Sequence, residues 1–271
     1  MTAPRPVALV TGATSGIGRS TAIAFAEAGY EVVGTGRSTA GLTAPAGVTL
    51  IDLDVSSDES VESGVQQVVD RFGRIDVLVN NAGMGAAGAA EENSIAQSQR
   101  VLDVNVVGVI RMSKAVLPHM RAKGSGRIIN VSSVLGLVPQ PYMAIYSAAK
   151  HAVEGYSESL DHEVREHGIR VLLVEPAYTR TSFEANASKP DSPLPAYAER
   201  RRVFGEVLDA AMKAGDDPAL VATVILAAAT ATAPRLRYPV GPLATRLSRL
   251  RRLAPARVFD SGIRKFNRLP A

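Results

Sequence analysis

Thr11-Gly12-Ala13-Thr14-Ser15-Gly16-Ile17-Gly18 follows directly on the apolar run Val7 to Val10 and leads into a stretch of helix formers, Ser20 to Gly29. A strand that turns through three glycines into a helix decides the fold class. Missing side chains let the backbone approach a pyrophosphate, and the N–H groups and dipole at the helix start attract it. The spacing differs from the usual G-x-G-x-x-G, so the strand–turn–helix context carries the reading rather than the bare pattern. A plainer reading, in which the glycines only shape a tight turn, stands beside it.

Working outward, short β-branched or apolar runs recur at Glu31 to Thr35, Val48 to Leu53, Ile75 to Asn80, Arg127 to Val131 and Arg170 to Val174, with Arg237 to Gly241 as a short last one. Helical spacing fills Glu59 to Phe72, Ile95 to Lys123, Pro141 to His167, Ala198 to Lys213 and Pro218 to Thr230. Alternating strands and helices imply right-handed crossovers, and strands apolar on both faces imply helices on both sides. The expected fold is α/β: a Rossmann-type, doubly wound, mostly parallel sheet of about seven strands in a single domain over residues 1–241. Ser, Pro, Asn and Lys interrupt the pattern after Thr181 and predict a substrate lid at about 181–200. Residues 242–271 form a basic helical extension.

Composition bounds the chemistry. Of 271 residues, 46% are hydrophobic and 21% charged, the balance of a globular protein, and there is no cysteine. Thiolate nucleophiles, disulfides and Cys-ligated zinc are thereby excluded. No apolar run is long enough to span a bilayer. Met1 to Pro6 does not read as a secretory signal, so the cytoplasm is the expected compartment. From Arg235 to Ala271 ten basic residues face one acid, Asp260, and that net +9 leaves the rest at −5 against the total of +4. The high isoelectric point belongs to the tail, and a nucleic-acid partner is not expected. The four histidines, at 119, 151, 162 and 167, form no i, i+4 pair, so no metal site is expected.

At the end of the second strand, where an NAD-binding chain usually offers a carboxylate to the ribose, the sequence reads Gly34-Thr35-Gly36-Arg37-Ser38. Arg37 pairs with a 2′-phosphate, whereas a carboxylate would repel one, so the expected cofactor is NADP. The alternatives are that Arg37 stacks on the adenine or sits in solvent; Arg19 is a weaker second candidate. In Tyr146-Ser147-Ala148-Ala149-Lys150 a phenol and an ammonium share one helix face. The phenol titrates near ~10 and needs a neighbouring positive charge to ionise at neutral pH, which Lys150 offers. Ser133 follows a strand end and Asn80-Asn81-Ala82-Gly83 ends another, so all converge on the carboxyl edge of the sheet, where open α/β folds bind ligands.

The order of these motifs, with Ser133 thirteen positions before Tyr146, resembles the compact branch of the short-chain dehydrogenase/reductase family from about Val7 to Thr181, and more loosely to Gly241. The resemblance implies that Tyr146 transfers the proton, Lys150 lowers its pKa and holds the nicotinamide ribose, Ser133 polarises the carbonyl, and Asn105 positions a water in the proton relay. It also implies a nucleotide site of Gly12, Thr14, Ser15, Gly16, Ile17 and Gly18 for the pyrophosphate, Asp54 and Val55 at the adenine, and Asn81 and Gly83 at the adenosine ribose. Pro176, Thr179 and Thr181 lie in a segment similar to the family's Pro-Gly-x-Val/Ile-x-Thr, with Ala177 and Thr179 departing from it. The activity implied is reversible hydride transfer between NADP(H) and a ketone or aldehyde. Ser133, Leu135, Met143, Tyr146, Tyr178 and Phe183 are the expected substrate contacts, with Met84, Leu137 and Val138 as further wall and Tyr142 beside them, which favours a hydrophobic carbonyl. Two alternatives are an NAD-dependent alcohol dehydrogenase of the same family and a catalytically idle NADP-binding sensor. A homodimer or homotetramer is expected.

In the tail, Leu243, Leu247, Leu250 and Leu253 fall toward one helical side with Arg246, Arg249, Arg251 and Arg252 around them. Such a helix suits an anionic membrane surface or an acidic carrier protein, or else covers the chain's own body or a partner subunit. The covering role is the expectation.

Overall fold

Val7, Leu9 and Leu78 turn to one side of the central sheet while Ala8, Val10 and Val79 turn to the other, and both sides are fully buried. The computed structural model in which this is seen describes residues 4–183 and 187–270. Its seven strands are β1 (Val7–Val10), β2 (Glu31–Gly36), β3 (Val48–Asp52), β4 (Val77–Asn80), β5 (Gly126–Val131), β6 (Ile169–Glu175) and β7 (Arg237–Pro239). They pair in parallel throughout, in the order β3-β2-β1-β4-β5-β6-β7. Helices α1 (Gly16–Glu27), α2 (Asp58–Phe72), α3 (Ile95–Leu102), α4 (Gly108–Lys123), α5 (Ala144–Val164), α6 (Ala198–Lys213), α7 (Pro218–Thr230), α8 (Gly241–Leu253) and α9 (Ala256–Phe266) complete it.

One core packs α1 and α7 on the sheet through Ala22, Phe25, Val221 and Ile225. The opposite core uses Val61 and Val65 of α2, Met112 and Val116 of α4, and Leu160 of α5. Each of these side chains larger than alanine contributes about 1.5–3 kcal/mol by leaving water. Because the strand order reverses between β1 and β4, the crossovers there leave on opposite faces and open a crevice at the carboxyl edge.

Three elements depart from the sequence expectation. The single helix expected over Ile95 to Lys123 is interrupted by a π-helical turn at Asp103–Val107, which sequence spacing does not reveal. Helix α5 starts at Ala144 rather than Pro141, because Tyr142 takes a left-handed backbone, φ 64°, in the preceding turn. In the tail, Pro255 separates α8 from α9, and the four leucines do not act together. Leu247 packs inward beside the fully buried Ala244, whereas Leu243, Leu250 and Leu253 are exposed. At 100° per residue the leucine row lies across the border of the buried face, and small Ala244 sets the depth of approach to Val134–Gly136.

Of the expected lid, residues 184–186 lie outside the described residues. The described part beyond them is fastened to the loop after β4 and to α3: Ser188 N donates to Gly85 O at 2.9 Å, Gln97 Nε2 to Lys189 O at 2.7 Å, and Leu194 N to Glu92 Oε1 at 2.7 Å.

Candidate active site

The glycine turn is held by backbone geometry rather than by packing of side chains. Gly12 and Gly16 have φ of 64° and 51°, which L-residues with a Cβ rarely adopt. A Cβ on Gly18 would stand 2.2 Å from Gly12 O, so α1 rests directly on the turn. Asn81 Nδ2 donates to Thr11 O at 3.0 Å and to Gly12 O at 3.2 Å, while Asn81 N and Ala82 N both donate to Thr11 Oγ1 at 3.0 Å. The end of β4 thus braces the turn after β1. Ser15, the N-cap of α1, makes no side-chain capping bond, and no acid stands in the first turn. An uncapped, unopposed helix start beside two left-handed glycines fits a pyrophosphate.

Around the adenosine end, Arg37 is exposed, and neither its side chain nor that of Arg19 is in an ion pair or hydrogen bond among the described residues. The nearby Asp52 carboxylate is tied to Thr39, accepting from its N and its Oγ1 at 2.7 Å each. Asp54 closes a turn on Ser56, whose hydroxyl donates to it at 2.6 Å. That bond is foremost, with Arg37 adding a weaker pull, in holding Asp54 below the usual carboxylate range. Val55 is buried against Gly108, and Gly83 packs against the Asn105 amide. Thr181 lies over Gly16, with its methyl 3.2 Å from where a Cβ on that glycine would be, so the segment after β6 meets the glycine turn. Pro176 O accepts from Val134 N at 2.9 Å, and Thr179 is buried with its hydroxyl on Ala177 O at 3.3 Å.

A chain of buried polar contacts locks α5 to the sheet. Asn80 Nδ2 donates to Asn130 Oδ1 at 2.8 Å, and Asn130 Nδ2 donates to Ser157 Oγ at 2.8 Å. With α5 so fixed, Tyr146 and Lys150 face the end of β5. Lys150 Nζ donates to Val131 O at 2.8 Å and lies 5.7 Å from the centre of the Tyr146 ring. The Ser133 hydroxyl accepts from Leu135 N at 3.1 Å and acts on the Tyr146 phenol as a polar neighbour that lowers its pKa.

Burial pushes the Tyr146 phenol well above its ordinary value, and Ser133 opposes this. Burial also lowers Lys150 to about 8, against the opposing pull of the Glu154 carboxylate. Loss of water disfavours the charged form of both groups, so the phenol in this arrangement holds its proton. Asn105 is held in place as well. Its amide clamps the Met84 backbone, Oδ1 accepting from N and Nδ2 donating to O at 2.8 Å each. The relay role assigned by resemblance thus falls on a side chain already engaged at both ends, inside the π-helical turn.

Behind Lys150 lies a set of charges that sequence reading missed. Arg237 Nε is 3.0 Å from Glu154 Oε2 and 3.5 Å from Glu175 Oε1, and its NH2 is 2.9 Å from Glu158 Oε2. Burial raises Glu175 to about 7, the Glu154 charge adding to it and Arg237 opposing. The spacing Tyr146, Lys150, Glu154, Glu158 was visible as one helical stripe. The Arg237 partner was not, being 83 residues from Glu154.

The expected substrate contacts come together. Leu135, Met143, Tyr146, Tyr178 and Phe183 share one apolar cluster, with the Phe183 and Tyr146 rings 5.7 Å apart. The same cluster includes Phe204, Leu208 and Met212 from α6, and Ala244 and Leu247 from α8, none of which the sequence had singled out for this wall. Tyr142 stacks on Phe204 at 5.6 Å. Met84 packs elsewhere, against Val101 and Ala149. Among the described residues no cluster suits a metal ion.

A doubly wound sheet that presents a pyrophosphate cradle and a Ser–Tyr–Lys group on one edge defines a nucleotide-dependent oxidoreductase acting on CH–OH or C=O groups. The sequence pattern of the short chain dehydrogenase family matches residues 6–192, and the chain belongs to that family. It is 38% identical to the 3-ketodihydrosphingosine reductase of Bacteroides thetaiotaomicron over 239 residues, 88% of each chain. A short-chain dehydrogenase from Streptomyces avermitilis superposes with a TM-score of 0.83 at 35% identity, covering 98% of both chains. A short-chain dehydrogenase/reductase from Burkholderia phymatum in complex with NAD gives 0.80 at 29% identity, over 92% of this chain and 93% of that one.

Proposed function

We propose that the protein is an NADPH-dependent reductase of a hydrophobic ketone or aldehyde, with Tyr146 as proton donor. The observation that carries this reading is the buried Tyr146, with Lys150 Nζ 5.7 Å from the centre of its ring and Leu135, Met143, Tyr178 and Phe183 as its apolar wall. When bound, the nucleotide supplies a hydride to the carbonyl carbon. Residues 12–18 hold its pyrophosphate, Asn81, Gly83, Asp54 and Val55 its adenosine, and Lys150, Pro176, Thr179 and Thr181 its nicotinamide side.

The chain's own part follows from its geometry. Ser133 donates a hydrogen bond to the carbonyl oxygen and withdraws electron density from the carbon. Tyr146 then gives its proton to the developing alkoxide, which is far more basic than a phenolate, so a phenol with a raised pKa still transfers downhill. Lys150, tethered to Val131 O, fixes the Tyr146 side of the site and stabilises the phenolate left behind. Arg37, in no ion pair among the described residues, supports NADPH as the nucleotide. The Bacteroides relative named for a ketone substrate supports reduction. A cytoplasmic homodimer or homotetramer belongs to the same reading, on the family resemblance.

A second reading, with NAD, draws on the Burkholderia phymatum structure. One experiment separates the two: oxidation of NADPH and of NADH with long-chain, aromatic and steroidal ketones and aldehydes. Turnover with NADPH is expected, with Tyr146→Phe slowing it by about 10²–10⁴-fold and Arg37→Asp reversing the nucleotide preference. Undiminished turnover in Tyr146→Phe would remove the proposed proton donor, and an NADH preference in the parent protein would favour the NAD reading.

A further inference from the structure

Five of the nine large apolar side chains exposed among the described residues lie beyond Gly241: Leu243, Leu250, Leu253, Val258 and Phe266. Leu253 is 82% exposed and Val258 62%, values for which a side chain folded onto its own protein has no reason. The same segment carries eight Arg and Lys against one acid, Asp260. Arg268, paired with Glu206 at 3.6 Å, is the one tail cation in an ion pair among the described residues. Pro242, Thr245, Arg246, Arg249, Leu250 and Leu253 line a groove of about 750 Å³ on the outer face of α8. Apolar floor and cationic rim thus occur on one surface, opposite the face where Ala244 and Leu247 close over the Tyr146 cluster.

From this pairing of exposed apolar and unopposed basic groups we propose that the outer face of α8 and α9 docks on the surface of an anionic lipid bilayer. Leucine and valine enter the acyl boundary while arginines hold lipid phosphates, the arrangement of an interfacial amphipathic helix. No described helix is long and apolar enough to cross a membrane, so attachment is peripheral. Like charge disfavours a second copy seated face to face, since each partner would bring the same cationic excess. Nucleic acid would use the arginines but leaves the exposed leucines unexplained.

The inner side gives the docking a use. Phe266 of α9 stacks on Tyr178 at 6.5 Å, and Asn267 is hydrogen-bonded to Gln140, so the tail that meets lipid also roofs the proposed substrate wall. An apolar carbonyl dissolved in the bilayer would reach Tyr146 from the interface; this last step rests on the reductase reading, whereas the docking does not.

The test is co-sedimentation of the full chain with vesicles of phosphatidylcholine alone and of phosphatidylcholine mixed with phosphatidylserine, beside its mass by analytical ultracentrifugation. Binding is expected only to the mixed vesicles. The double variant Leu253→Ser/Val258→Ser should lose about tenfold or more in vesicle affinity. Arg249→Glu/Arg257→Glu should lose at least as much. Unchanged nucleotide binding and thermal unfolding certify that the variants are folded and, being independent of vesicles, report on the reductase reading separately. Absent or composition-independent vesicle binding overturns the proposal. So does a fall in mass on Leu253→Ser/Val258→Ser, which would make the face a contact between copies, or unchanged vesicle affinity in both variants.

Discussion

The nucleotide turn and the substrate wall share the carboxyl edge of the sheet, yet they are built on opposite plans. The turn after β1 is made of consecutive residues whose backbone is braced by Thr11, Gly12 and Asn81, and a Cβ added at Gly18 has nowhere to go. The wall is made of side chains from α5, α6, α8 and the segment after β6, brought together over more than a hundred residues of sequence. What holds this wall on its outer edge is Glu92, fully buried, ion-paired to Arg201 and accepting from Ala89 N and Leu194 N at 3.1 and 2.7 Å. A site for an invariant ligand is thus rigid and local, whereas a site for a particular substrate is assembled from interchangeable apolar pieces.

Substitutions on either side break or sharpen that contrast. The largest effect is expected from Glu92→Ala, which leaves Arg201 and two N–H groups without their partner; thermal unfolding should show a loss of about 3–5 kcal/mol. Nucleotide affinity measured on the folded fraction should stay as it was, and a parallel loss there would mean that the two halves are one unit. Next comes Gly18→Ala, at about 1–3 kcal/mol of overpacking. It should weaken nucleotide binding in a fluorescence titration while leaving KM for the carbonyl little changed. Smallest is Phe204→Leu, which removes the ring stacked on Tyr142, a contact of about 0.5–1.5 kcal/mol. A several-fold rise in KM with no change in nucleotide affinity is the expected signature, and a change in the nucleotide alone would place Phe204 outside the substrate wall.

Much of the sheet was legible in the sequence. β1 begins and ends where the apolar run Val7 to Val10 does, and the other strands fall within two residues of their runs at nearly every end, because buried parallel strands must be continuously apolar. The π-helical turn at Asn105 and the left-handed Tyr142 were not legible, since neither changes the periodicity of the residues around it. The row of tail leucines was visible as a pattern, but which of them turn inward depends on how closely Ala244 lets α8 approach Val134–Gly136.

By itself the sequence determined the doubly wound class, the glycine turn, Arg37 at the end of β2, and Ser133, Tyr146 and Lys150 as a group, because backbone conformation and a helical turn of four residues impose residue types at short, fixed spacing. Tertiary structure alone decided that burial raises the Tyr146 phenol, that Arg237 gathers Glu154 and Glu175 behind Lys150, that α6 and α8 complete the apolar wall, and that half the tail's apolar side chains face outward. The reason is physical: desolvation and long-range contacts are properties of what surrounds a residue in space, and an apolar side chain reads the same in a sequence whether it fills a core, lines a substrate site or meets a membrane.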